Sequence, residues 1–184
     1  MSMSLPMGER GSATGRPRRD NRYSVAMTIR PLVATDRALL REATLANMNW
    51  NGPHFTIDDV DGSHELSHYF TSFPSGRDVG LADVKGDTVR AVAWLVFLPA
   101  EDPGYGFVDA DIPELSITTF AGQRGQGIGS ALLSELINLA RSRGIRAISL
   151  SVADGNVARR LYDRAGFEVV GRSGSSNTML LALA

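Results

Sequence analysis

Glu114-Leu-Ser-Ile-Thr-Thr-Phe-Ala-Gly-Gln-Arg-Gly-Gln-Gly-Ile-Gly-Ser130 decides the fold of this chain. Glu114 to Phe120 predicts a strand, and Gly122 to Gly129 predicts a glycine loop. Leu132, Leu133, Leu136, Ile137 and Ala140 then keep helical spacing as far as Gly144, where a left-handed cap is wanted. Strand, glycine loop and helix together make an anion site. Glycines let the backbone approach a ligand closely, and the unpaired amides and dipole of the helix start favour negative charge. Phosphate is the expected guest. The spacing is not Gly-x-x-x-x-Gly-Lys, which excludes a nucleotide triphosphate loop. Ser130 stands where a dinucleotide fingerprint needs its third glycine.

Upstream of this stretch, Met27 to Pro31 reads as a strand, and Ala34-Thr-Asp36 supplies a cap for a helix carrying Leu39, Leu40, Ala43 and Leu45. Asp58 to Asp61 leads into a second helix with Leu66, Tyr69, Phe70 and Phe73 on one face. Val79 to Val84 and Thr88 to Leu98 follow as strands joined by a Lys85-Gly-Asp87 turn. The second of these is apolar on both faces and predicts a central position. Downstream, Ile145 to Val152 is a strand, Asn156 to Ala165 a helix, and Phe167 to Val170 and Thr178 to Leu183 are closing strands. The helix after the glycine loop thus joins two parallel strands. Residues 1–24, rich in Gly, Ser, Pro and Arg, read as a disordered tail, and 25–184 as one α/β domain.

The 184 residues are 43% hydrophobic and 21% charged, the composition of a soluble globular protein. The longest apolar run, Ala91 to Leu98, is far below the ~20 residues of a membrane span, and no signal-peptide core is visible, so a cytoplasmic protein without a membrane partner is expected. The absence of cysteine excludes disulfide scaffolds, thiol catalysis and thiolate metal sites. A formal charge of -1 gives no field for collecting nucleic acid, and none is expected as a partner.

Arg124-x-x-Gly127-x-Gly129 opening a long helix, followed by a strand and then Asn156-Val-Ala-Arg-Arg-Leu-Tyr162-Asp-Arg-Ala-Gly166-Phe167, resembles the acetyl-CoA half of the GNAT N-acetyltransferase superfamily. The element order from Met27 also matches that family's layout. The chain departs from it at Thr119 and Ala121, where many members carry valine and proline. The resemblance implies a mostly antiparallel twisted sheet flanked by helices, with a central parallel pair that splays to admit the coenzyme. It implies acetyl-CoA as cosubstrate, with its pyrophosphate on the amides of Arg124, Gly125, Gln126, Gly127, Ile128, Gly129 and Ser130. Ile117, Thr118 and Thr119 would pair with pantetheine through their backbone, and Asn156 would contact the same arm. A backbone amide near Thr118 or Thr119 would polarise the thioester carbonyl.

Acyl transfer to an amine needs the ammonium deprotonated and the departing thiolate protonated. The resemblance implies Glu114 as base, directly or through water, and Tyr162 as the acid, a phenol that is protonated at neutral pH. The expected acceptor is a small-molecule or peptide amine, and a homodimer is left open. Trp50, Phe55 and Tyr105 would form apolar walls, and Asp58, Asp59, Asp61, Asp109 and Asp111 would favour a cationic acceptor. A non-catalytic acyl-CoA-binding or sensing module is the alternative. A third reading comes from His64-Glu65-Leu66-Ser67-His68, which fits the helical zinc-hydrolase pattern H-E-x-x-H, with His54 available as a further ligand. That pattern explains five residues where the family resemblance explains the domain, and both histidines lie opposite the apolar stripe, facing solvent or the cleft rim. No metal is therefore expected.

Overall fold

The computed structural model describes residues 28–183. The N-terminal tail and Met27 lie outside them. In order, the elements are β1 (Thr28–Pro31), a 3-10 turn (Ala34–Asp36), α1 (Arg37–Met48), α2 (Ile57–Gly62), α3 (His64–Thr71), β2 (Val79–Lys85) and β3 (Thr88–Val96). They continue with β4 (Glu114–Thr119), α4 (Ile128–Ser142), β5 (Ala147–Ala153), α5 (Arg159–Ala165), β6 (Glu168–Ser173) and β7 (Ser176–Ala182). One seven-stranded sheet runs β1-β2-β3-β4-β5-β7-β6, antiparallel throughout except for β4 with β5.

The sheet is covered on both faces, as the two apolar sides of β3 predict. Ala91, Ala93 and Leu95 pack under Leu132, Leu133, Leu136 and Ala140 of α4. Val92, Trp94 and Val96 pack under Leu40 and Ala43 of α1, Val60 of α2 and Leu66 and Phe70 of α3. The strict alternation fails at one place. Asp83 lies opposite Ala91 and Val84 opposite Val89, so Arg90 is an extra residue in β3 and Val89 turns to the α1 side. Arg90 pairs with fully buried Asp83, Nε to Oδ1 at 2.5 Å.

Two sequence expectations shift. The second helix is two helices, broken at extended Ser63, and Phe73 lies beyond the end of α3 although it is buried with the stripe. The helix expected from Asn156 starts at Arg159, because the Asn156 side-chain carbonyl accepts from the Ala158 amide and holds the preceding turn. No helix among the described residues is long and apolar enough to cross a membrane.

Candidate active site

β4 and β5 share a single register pair, Glu114 opposite Ser149, secured by the Ser149 amide donating to the Pro113 carbonyl at 3.0 Å. Beyond that pair the strands diverge, and a cavity of about 820 Å³ opens between them. Ile117, Thr118 and Thr119 line one wall; Arg124, Gly125, Gly127, Ile128, Gly129 and Ser130 line one end; Asn156 and Tyr162 line the opposite side. A splayed parallel pair leaves strand-edge amides and carbonyls without ladder partners, available to an extended ligand that carries peptide bonds of its own.

Gly127 starts α4 with φ 78, a left-handed backbone that turns the loop so that the first helical amides face the cavity end. Arg124 folds its Nε onto the Thr119 carbonyl at 3.0 Å and ties the loop to the end of β4. Between Arg124 and Ser130, Gln126 is the residue that does not line the cavity: its side-chain nitrogen turns back and donates to the Gly122 carbonyl. Arg160 and Arg164, one helical turn apart on α5, also line the cavity, a pair of cations whose i, i+4 spacing is the signal for them in the sequence.

Glu114 sits at the closed end of the splay. It is buried, its Oε1 accepts from the Tyr69 hydroxyl at 2.8 Å and from the Gly106 amide at 2.8 Å, and its Oε2 has no partner among the described residues. Burial pushes its carboxyl up to about 7; the two hydrogen bonds oppose that rise without cancelling it. Tyr69 in turn accepts from the Tyr105 amide at 2.9 Å, and burial together with the neighbouring carboxylate raises its own pKa, so it remains a donor at every working pH. Tyr69 belongs to the apolar stripe of α3, and nothing in its local sequence separates it from a core aromatic. Its backbone carbonyl accepts from the Trp94 indole at 2.9 Å, which seats α3 on β3.

The loop between β3 and β4 has no space to spare around this carboxylate. A Cβ on Gly104 would collide with Glu114 Oε2 and the Tyr69 hydroxyl, and one on Gly106 would collide with the β5 backbone at Leu150 and Ser151.

Removing the Tyr69 hydroxyl takes away a hydrogen bond that holds the Glu114 pKa down. Tyr69→Phe should therefore move the acidic limb of the pH–rate profile to higher pH and lower turnover at pH 7. A pH–rate profile that keeps its midpoint would show that Tyr69 only packs.

Tyr162 is buried against Phe167, ring centroids 5.8 Å apart, and burial alone pushes its hydroxyl up to about 12. Met48, Trp50, Leu66 and Tyr105 give the cavity an apolar wall. Two sequence expectations do not carry over. Phe55 is not on that wall, and neither are the five aspartates: Asp59 caps α2, Asp61 pairs with Arg41 and Asp111 pairs with Arg77 at 3.0 Å. Glu114 is the acidic residue the cavity does contain. His68, expected at the surface, is buried under the β3–β4 loop beside Asp102.

Among solved structures, the GNAT domain of S. lividans PAT is similar over 85% of this chain and 90% of its own, with a TM-score of 0.62 and 21% identity. The protein yncA of Salmonella typhimurium, solved with its cofactor acetyl-CoA, is similar over 86% of this chain and 94% of its own, with a TM-score of 0.57 and 24% identity. Mutant forms of the spermidine/spermine N-acetyltransferase SpeG of Vibrio cholerae are similar over 85% and 95%, with a TM-score of 0.55 and 16% identity. A comparison with curated proteins finds no match. The structural likenesses establish the fold; the family follows from residues 45–167, which match the model of the Acetyltransferase (GNAT) family, so the chain belongs to that family, whose members use acetyl-CoA.

Proposed function

We propose that this protein is an N-acetyltransferase that moves an acetyl group from acetyl-CoA to a primary amine by direct attack on the thioester, with Glu114 as base and Tyr162 as acid. The observation that carries the reading is the Glu114 carboxyl, pushed up to about 7 by burial inside the cavity whose far end is the glycine loop. A carboxylate with that pKa is half ionised at neutral pH and a much stronger base than an ordinary carboxylate toward an ammonium brought beside it.

The residues fit acetyl-CoA. A Cβ on Gly125 or Gly127 would meet open space, so the loop leaves room for a pyrophosphate against the α4 amides. Arg124, Arg160 and Arg164 at the cavity rim add positive charge for phosphate groups. Ile117, Thr118 and Thr119 offer the strand edge to pantetheine, and the side-chain nitrogen of Asn156, whose backbone amide is bonded to the Ala153 carbonyl and whose side-chain oxygen holds the Ala158 amide, would join them. Acetyl-CoA supplies an acyl group already activated as a thioester. Glu114 takes the ammonium proton, directly or through a water, on Oε2, the carboxylate oxygen without a hydrogen-bond partner among the described residues. Tyr162 gives its proton to the departing sulfur.

The acceptor is an amine borne on an apolar body, because Met48, Trp50, Leu66 and Tyr105 face it and the aspartates do not. A panel of such amines, with polyamines and peptide N-termini beside them, tests this through release of free thiol from acetyl-CoA. No thiol release with any amine, while acetyl-CoA still binds, would favour a non-catalytic acyl-CoA-binding module.

Tyr162→Phe keeps the ring and removes the donor. Because a thiol is a good leaving group near neutral pH, the loss of turnover should be about 10²-fold, the low end for general acid catalysis, with little change in acetyl-CoA affinity. Turnover equal to the wild type would leave the sulfur to water.

A further inference from the structure

His64-Glu65-Leu66-Ser67-His68 plays no part in the chemistry above, yet the fold brings a third group to it. α3 sets His64 and His68 one turn apart, and the loop after β3 carries Asp102 against both. Nε2 of His64 lies 2.9 Å from one carboxylate oxygen and Nδ1 of His68 lies 3.1 Å from the other. One donor atom from each of the three residues falls within 4.8 Å of the others. His68 is fixed by burial, with its side chain 6% exposed, whereas His64 is 76% exposed and free to adjust.

We propose that His64, His68 and Asp102 form a binding site for a divalent transition-metal ion of the zinc class. Two imidazole nitrogens and a carboxylate oxygen are the donor set such ions take, with bonds of about 2.0 to 2.2 Å. Donors around a tetrahedral ion at those lengths lie about 3.4 Å apart; the two nitrogen–oxygen distances, 2.9 and 3.1 Å, are near that figure, and the exposed His64 is the ligand with room to adjust around an ion. The carboxylate charge now shared between two imidazoles then faces the ion, and the exposed side next to His64 leaves a position for water.

This centre differs from the zinc-hydrolase reading of the motif in two respects. Its third ligand is Asp102 rather than His54, and Glu65, the residue that would activate water in a hydrolase, is engaged by the Tyr105 hydroxyl at 3.3 Å. Its role is that of a clamp. Asp102 lies on the loop that gives the Tyr105 amide to Tyr69 and the Gly106 amide to Glu114, and His68 precedes Tyr69 with their rings edge to face at 4.5 Å. An ion here ties α3 to that loop directly beside the residues that hold the buried carboxylate.

The test is calorimetric titration of the full chain with zinc chloride, with melting followed in parallel; it requires no acetyl acceptor and is independent of the acetyltransferase reading. One ion per chain and a raised melting temperature are expected. His64→Ala, at an exposed position, and Asp102→Asn, which keeps the shape, should each weaken zinc binding by more than the ~10- to 100-fold that losing a group behind a ligand brings. Their melting without zinc should stay near the wild type, and His54→Ala should bind zinc normally. Absence of saturable zinc binding by the wild type, or unchanged binding in both His64→Ala and Asp102→Asn, overturns the proposal.

Discussion

Glu114→Gln is expected to lower turnover at pH 7 by ~10²- to 10⁴-fold, the usual weight of a general base, while acetyl-CoA affinity stays near the wild type. Glutamine fills the same space, and its carbonyl oxygen can still accept from the Tyr69 hydroxyl and the Gly106 amide, so the loop above it keeps its path. What is lost is the proton acceptor. The wild-type rate should rise through about pH 7 as the buried carboxyl ionises. The variant should recover only at higher pH, as unassisted free amine accumulates.

Stability should change in the opposite sense. Because the folded state raises the Glu114 pKa to about 7, the folded protein binds this proton more tightly than the unfolded chain does. That contribution is complete below the unfolded carboxyl pKa of ~4.3 and is lost as pH rises through about 7, a change on the order of 4 kcal/mol. Glutamine carries no charge to bury, so relative to the wild type the variant should gain stability between pH 5 and pH 8 while losing activity. Wild-type turnover across this range would place the base elsewhere.

The parts of this fold that the sequence revealed are those set by local rules. The glycine loop, the stripe of α4 and the doubly apolar β3 each occupy the predicted place, because period and turn chemistry act within a few residues. The splayed end of β4 followed from the family resemblance. The surroundings of Glu114 were not legible, since Tyr69 lies 45 positions away and Gly106 in a loop with no periodicity. The acidic residues show the same limit from the other side: composition displays their charge, but Arg41 and Arg77, which engage Asp61 and Asp111, are matched to them only by folding. His68 read as a surface residue from its helical phase, and a loop that arrives 34 positions later buries it. Asn156, which the resemblance implies as a pantetheine contact, has its side-chain oxygen on the Ala158 amide, and the turn this holds explains why α5 begins late.

Gly127→Glu is expected to abolish the rise in melting temperature that acetyl-CoA gives the wild type, and to reduce acetyl transfer to background. Gly127 is the N-cap of α4 and adopts a left-handed backbone, so any side chain there costs about 1 to 2 kcal/mol of stability. Space is not the obstacle, because a Cβ at this position meets nothing within 4 Å. That open space is where the proposed acetyl-CoA site puts the pyrophosphate. A glutamate carboxylate placed there would lie at the α4 N-terminus, take up its unpaired amides and dipole, and repel a second anion. The folded domain should therefore survive with a filled anion site. Gly127→Ala separates the two effects: it carries the same backbone strain without the charge, so it should melt lower than the wild type yet still respond to acetyl-CoA. An acetyl-CoA shift of wild-type size in Gly127→Glu would mean that the pyrophosphate binds away from this loop.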